Sequence, residues 1–273
     1  MKTILVATDF SIAAQNASKY AAEMALAIHA DLLLLHVYQL PISYTEVPFV
    51  VNMEDVLKGA REEITRHKEE LIQKTSGKIN IETEVREGVF FNELNTLCKN
   101  VMPYAVVMGS QGTTATERFL YGGHTVNAMQ HLMWPLITVP IDATYAGVKK
   151  IGLACDFNEV VDTTPIDEIK LLIHDFDAEL HVLNTGKEKV FDPDIIFESG
   201  VLEEMVGELK PRYHFITNSN TDEGIMDFAI ENRIDLLIIL PKRHGFLEAL
   251  LHKSHTKQLV LHSHVPVMAL HMQ

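Results

Sequence analysis

Short runs of consecutive apolar residues recur along this chain of 273 residues, separated by longer stretches in which apolar positions return every three or four residues. The first run, TILVAT at 3–8, reads as a strand. The segment behind it places Ala17, Ala21, Met24, Ala25 and Ile28 on one helical face, with Ser11 as a candidate cap. DLLLLHVYQ is almost continuously apolar, as a central parallel strand buried on both faces should be. The charged stretch EDVLKGAREEITRHKEELIQKTSG predicts the second helix, INIETEV the third strand and residues 90–100 a third helix. YAVVMG, a helix in or after the following loop, and PLITVPI complete the series. Strands joined through helical crossovers predict parallel pairing with helices on both faces, because a hairpin cannot join parallel neighbours.

The series then runs again. After ATYAGVKK at 143–150, IGLACDF resembles ILVATDF, ELHVLN resembles LLHVYQ, DLLIILP resembles YAVVMGS, and HVPVMALHM resembles LMWPLITVP. Duplication is the simplest cause, which predicts two tandem, doubly wound, mostly parallel five-stranded sheets of the Rossmann-like type, with a boundary at about 145. The terminal strands PLITVPI and HVPVMALHM would be exposed sheet edges unless paired with each other, so an internal pseudo-dimer is expected, with a homodimer as a further possibility.

Composition narrows the partners. A net charge of -14 disfavours nucleic acid and anionic membrane, both of which are bound through Lys and Arg. Two cysteines far apart in apolar segments, Cys98 and Cys155, fit buried free thiols in a reducing cytoplasm. No apolar run approaches the roughly 20 residues that cross a bilayer. His252, His255, His262, His264 and His271 crowd the end of the sequence, but their spacings do not form the helical pairs of a zinc site, and no metal site is expected.

Candidate chemistry lies in GSQGTTATERFLYGGHT, residues 109–125, where glycines stand in the pattern G-x-x-G-x9-G. Such spacing arises by chance in about one chain in ten of this length, so its placement matters more. The first glycine closes a predicted strand at its carboxyl end and the last stands where a helix begins, a position whose free N–H groups and positive dipole attract anions. A glycine-rich surface loop is the alternative. Aligning GGHTVNAMQH with KSHTKQLVLH without a gap sets Gly109, Gly112 and Gly122 opposite Leu240, Arg243 and Lys253. Loss of all three from the second copy favours a ligand-related reason for them in the first. Neither a G-x-G-x-x-G turn nor a P-loop is present, and no nucleophile, base and orienting acid can be assembled, so no catalytic residue is assigned, and at most slow hydrolysis of a bound ligand is left open.

The order ILVATDFS, LLLLHVYQ, REGVFFNEL, VVMGSQG, nine residues, GGHT and PLITVP resembles the universal stress protein family in its tandem form, across essentially the whole chain. The resemblance implies an adenine nucleotide alpha hydrolase-like fold and, in one branch of the family, ATP or AMP held by a G-x-x-G-x9-G-(S/T) loop, with any Mg2+ carried by the nucleotide. Other branches bind none and would act as interaction scaffolds for an unidentified protein partner. Carried over, the implied contacts are Ala7, Thr8, Asp9 and Val37 for adenosine, and Met108, Gly109, Gly112, Gly122, Gly123 and Thr125 for the phosphates. Gly123 departs from the pattern, which expects Ser or Thr, so one hydroxyl donor is missing while Thr125 supplies another. Asp9 has an alternative role as a helix cap. In the second half Asp156 is retained, but Lys242, Arg243, His244, His252 and Lys253 replace the open loop, so no nucleotide site is expected there.

Overall fold

A computed structural model of the chain describes residues 2–39, 52–110, 122–155, 164–184, 193–216, 218, 220–241, 259 and 263–272. The basic loop from 242, Asp156 and three of the five clustered histidines (His252, His255 and His262) lie outside them. In the first half β1 (Thr3–Ala7), α1 (Ile12–Ile28), β2 (Asp31–Tyr38), α2 (Met53–Lys74), β3 (Ile81–Glu87), α3 (Phe90–Val101), β4 (Ala105–Gly109), α4 (Gly122–His131) and β5 (Leu136–Val139) follow the predicted alternation. The second half repeats it with β6 (Lys150–Cys155), α5 (Ile166–Phe176), β7 (Glu179–Asn184), α6 (Pro193–Val206), β8 (Arg212–Phe215), α7 (Thr221–Glu231), β9 (Leu236–Ile239) and β10 (Val267–Ala269).

The two expected five-stranded arrays merge into one ten-stranded sheet, in the order β3-β2-β1-β4-β5-β10-β9-β6-β7-β8. Within each half every pairing is parallel. The halves meet where β5 runs antiparallel to β10, with Ile137 opposite Met268 between the pairs Leu136–Ala269 and Thr138–Val267. Because Leu136 and Val267, Ile137 and Met268, and Thr138 and Ala269 are the equivalent residues of the two copies, this register is that of a pseudo-twofold axis through the Ile137–Met268 pair. Pairing satisfies two rows of backbone groups that would otherwise form open edges.

Both faces are covered. Ile4, Val6 and Leu34 pack with Ala17, Ala21 and Met24 of α1, and this cluster continues through Ile137 and Met268 to Leu153, Ile169 and Leu202 of the second half. On the opposite face Leu5, Leu33 and Val106 pack with Leu94, Leu97 and Met129, and the cluster runs on to Leu237, Ile225 and Val267. The alternation along β1 thus sends successive side chains into two cores, each crossing the junction. Cys98 and Cys155 are buried and neither is in a disulfide, and burial pushes the Cys98 thiol up to about 12, which keeps it protonated and unreactive.

The strand register revises one pairing of the copies made from sequence. The N–H of Asp31 donates to Lys2 O, and that of Glu179 donates to Lys149 O in the same place of the repeat. Asp31 therefore matches Glu179, His36 matches Asn184, and His181 stands where the first half has Leu33. The resemblance of ELHVLN to LLHVYQ is slipped by three residues, and an odd slip turns a side chain to the other face. The gapless match around β4 and β9 does hold, since Ile4 pairs with Ala105 as Ile151 pairs with Leu236.

Helix α1 fixes the stretch joining the halves. The Asn16 side-chain amide donates to Pro140 O at 2.9 Å and to Ala143 O at 2.8 Å. The Tyr20 ring meets Tyr145 edge-on at 5.2 Å, and Lys2 Nζ reaches Asp175 Oδ1 of α5 at 2.5 Å. Replacing Asn16 with Ala removes both amide bonds and takes the side-chain donor from Ala143 O, while Pro140 O keeps the Ala143 N–H, so a loss of about 1 to 2 kcal/mol is expected, measured as a lower denaturant midpoint at unchanged slope.

Candidate functional site

The turn from β1 into α1 is held by its own polar side chains. Thr8 Oγ1 accepts the Phe10 N–H and Asp9 Oδ1 accepts the Ser11 N–H, both at 3.0 Å. Phe10 adopts a left-handed backbone, φ 63°, an arrangement disfavoured for a bulky residue and here over-determined by its surroundings. Its carbonyl accepts from Gln15 Nε2 at 2.8 Å and its ring lies 4.5 Å from that of His36, whose Nδ1 is 2.8 Å from Thr8 O. Ser11 caps α1 by accepting the Ala14 N–H at 3.2 Å. Asp9 is therefore not the cap; it closes a short turn just outside the helix and stays exposed.

Above this turn lies a cavity of about 470 Å³. It sits at the carboxyl ends of β1, β2 and β4, where the strand order reverses between β1 and β4, the place where open α/β sheets hold ligands. Of the residues expected from sequence, Ala7, Thr8, Asp9, Val37, Met108, Gly109 and Thr125 line it. Gly122 and Gly123 open α4, whose next two residues, His124 and Thr125, form part of the wall. Gly112 lies outside the described residues. Sequence reasoning missed Ala13, Ala14, Gln39, Gly88, Phe90, Ser110 and His124 and gave Ser11 only a capping role, though all eight line the same space. Their signal was proximity: Gly88 and Phe90 belong to REGVFFNEL, and His124 to GGHT. The His124 ring meets Phe90 edge-on at 5.3 Å, joining α3 to α4 across the mouth.

Two readings of the glycine loop change. A Cβ on Gly109 would stand 2.8 Å from the backbone carbon of Ala13 and 2.9 Å from its carbonyl oxygen, so glycine at 109 is required by the close approach of α1 to the end of β4. Its loss from the second copy need not reflect a ligand. Thr125, expected to offer a hydroxyl to phosphate, donates it instead to Gly109 O at 3.2 Å and is buried. Gly123 has no such packing reason, since a Cβ there would meet nothing within 4 Å.

The cavity is therefore a largely neutral crevice. Asp9 is the one carboxylate and His124 the one imidazole among the described residues lining it, and no Lys or Arg is among them. Polar recognition rests on hydroxyls, the Gln39 amide and the first-turn N–H groups of α4, which have no partner within the helix.

Fold and cavity together define an open, duplicated α/β protein with a ligand-type crevice at the switch point of its first copy. The model of the universal stress protein family matches residues 1–140 and again 147–271, and the chain belongs to that family. Among solved structures, a universal stress protein from Archaeoglobus fulgidus is 17% identical over 98% of this chain and 96% of its own, with a TM-score of 0.73. A functionally unknown protein from Pseudomonas aeruginosa is 13% identical over 99% of this chain and 92% of its own, with a TM-score of 0.62. A universal stress protein solved in complex with cAMP is 23% identical over 50% of this chain and 96% of its own, with a TM-score of 0.40. Comparison with curated protein sequences gives no significant match.

Replacing Gly109 with Val drives a branched side chain into the Ala13 backbone. A destabilisation of about 1 to 3 kcal/mol is expected, read as a fall in the unfolding midpoint, whereas valine at Gly123 should change it by less than about 1 kcal/mol.

Proposed function

We propose that the first copy, residues 1 to about 145, holds an adenine nucleotide in this cavity and that the chain acts in the stress response through ligand-dependent conformation or partner binding. The observation that carries this reading is the cavity itself. Its volume falls in the roughly 300–1,000 Å³ range of small-molecule sites, and it gathers the strand ends of the first copy around the exposed Asp9. Adenosine would lie against Ala7, Thr8, Asp9 and Val37. Phosphate would meet the amides that open α4 and the loop that contains Gly112. AMP is the better fit of the two nucleotides, because the hydroxyl at Thr125 is engaged and Gly123 supplies none. Any Mg2+ would arrive with ATP.

Helix α1 offers the route from ligand to surface. Its first turn supplies Ser11, Ala13 and Ala14 to the cavity, and its next turns carry Asn16 and Tyr20 against the stretch leading into the second copy. A ligand that binds two positions of that turn unequally would shift the junction with it. The second copy serves as a structural or partner-binding unit. None of the described helices is long and apolar enough to cross a membrane, and we place the protein in the cytoplasm.

The neutral lining favours a second reading, a scaffold that works without nucleotide. Calorimetric titration separates the two. The first reading expects one site per chain for AMP or ATP, with and without Mg2+, and the absence of heat for both at millimolar concentration selects the scaffold. Gly123→Ser adds the missing hydroxyl in open space, and one hydrogen bond to a charged acceptor should tighten binding by about tenfold. Unchanged affinity in that variant would remove phosphate from the first turn of α4.

A further inference from the structure

The second copy pairs a buried histidine on β7 with a part-buried one on β8, at positions that hold Leu33 and Glu84 in the first. His181 on β7 occupies the position of Leu33 and its side chain is 4% exposed. Its Nδ1 lies 3.1 Å from Nε2 of His214 on β8, and the rings are parallel within 6° at 5.1 Å between centroids. The His214 ring also lies 4.6 Å from that of Phe228 of α7, tilted by 51°. These contacts join three elements at the end of the sheet, since β8 is an edge strand that pairs with β7 alone. We propose that His181 and His214 form an acid-sensitive latch that fastens β8 to the second copy at neutral pH and releases it on protonation.

A nitrogen-to-nitrogen bond needs one ring to donate and the other to accept, so it survives only while at least one of the two facing nitrogens is unprotonated. Charging both imidazoles puts two cations in contact. Among the described residues, the other charged groups near the pair are Lys150 of β6, Arg212 of β8 and Glu179 of β7, while α7 contributes the apolar Phe228. Glu179 is the one carboxylate, it lies 3.5 Å from His181 Nε2, and it is already paired with Arg212 at 3.1 Å. His181 Nε2 is buried without a hydrogen-bond partner. A proton added there faces Glu179 alone among the described groups, 3.5 Å away and already shared with Arg212, and the balance of nearby charge is positive.

Burial first, then the facing His214 for His181 and Arg212 for His214, hold both imidazoles below the ordinary histidine value of 6.5, with Glu179 opposing the shift at His181. A depressed histidine binds its proton more weakly in the folded chain than in the unfolded one. The stability it supports is complete above about pH 6.5 and falls as the pH drops below that value. Released, β8 would uncover the pairing edge of β7 beside Phe215, which is already 73% exposed.

Amide hydrogen exchange of the full chain, corrected for the intrinsic pH dependence of exchange, tests the latch between pH 7.5 and 5. Protection of residues 212–216 should fall by about tenfold per pH unit below 6.5 for each proton taken up, while central strand β9 keeps its protection. The double substitution His181→Leu, His214→Phe should remove that dependence and leave β8 protected at pH 5. Equal losses in β8 and β9, a β8 protection that does not change with pH, or a double variant that retains the drop would each overturn the proposal. If the double variant does not fold, the comparison of β8 with β9 in the unmodified chain decides alone.

Discussion

The antiparallel contact between β5 and β10 is the constraint on which the rest of the molecule depends. Each copy ends its parallel series on a short apolar strand with one unpaired side. Joining those sides converts two edges into the centre of a ten-stranded sheet. Three residue pairs make the contact, yet its consequence is larger than their hydrogen bonds, because both layers of buried side chains continue through it. Opening the junction would expose Ile137 and Met268 to water along with two rows of backbone groups, at a cost counted in buried area as well as hydrogen bonds.

The same architecture creates an asymmetry between the copies. In the first, α1 approaches the end of β4 so closely that no Cβ fits between them at Gly109. The turn leading into that helix is locked by Thr8, Asp9 and Ser11 with a left-handed Phe10 at its centre. A helix start pressed against a strand end leaves a crevice between the ends of β1, β2 and β4, with α4 closing one side. In the second copy, His181 takes the place of Leu33 and meets His214 of the edge strand, beside which Tyr213 and Ile216 pack on the two cores. One copy thus presents a crevice at its strand ends, while the other carries a histidine in its core.

Much of this was legible in the chain. The run DLLLLHVYQ announced a strand buried on both faces, the 3.6-residue spacing behind Ser11 announced α1 and its cap, and the internal repeat announced two copies wired alike. Seven of the ten residues expected at the site line the cavity, because strand ends in a parallel sheet converge by construction. The misreadings share one cause. The cap role open to Asp9 and the phosphate-donor role of Thr125 were read from residue type, whereas hydrogen bonds formed in three dimensions direct Asp9 to the Ser11 amide and Thr125 to the Gly109 carbonyl. ELHVLN was matched to LLHVYQ by letters, although the backbone register sets His181 opposite Leu33.

By itself the sequence determined the alternation of elements, their parallel pairing, the duplication and the end of the first sheet at which a ligand would sit, since hydrophobic period and strand order are local properties of the chain. Only the tertiary structure decided the register in which the two sheets join, that Gly109 serves packing, and that two histidine rings meet in the second copy. Those facts depend on distances between segments far apart in the chain, and a distance of that kind is set by how side chains fill the space between layers, which no spacing along the sequence encodes.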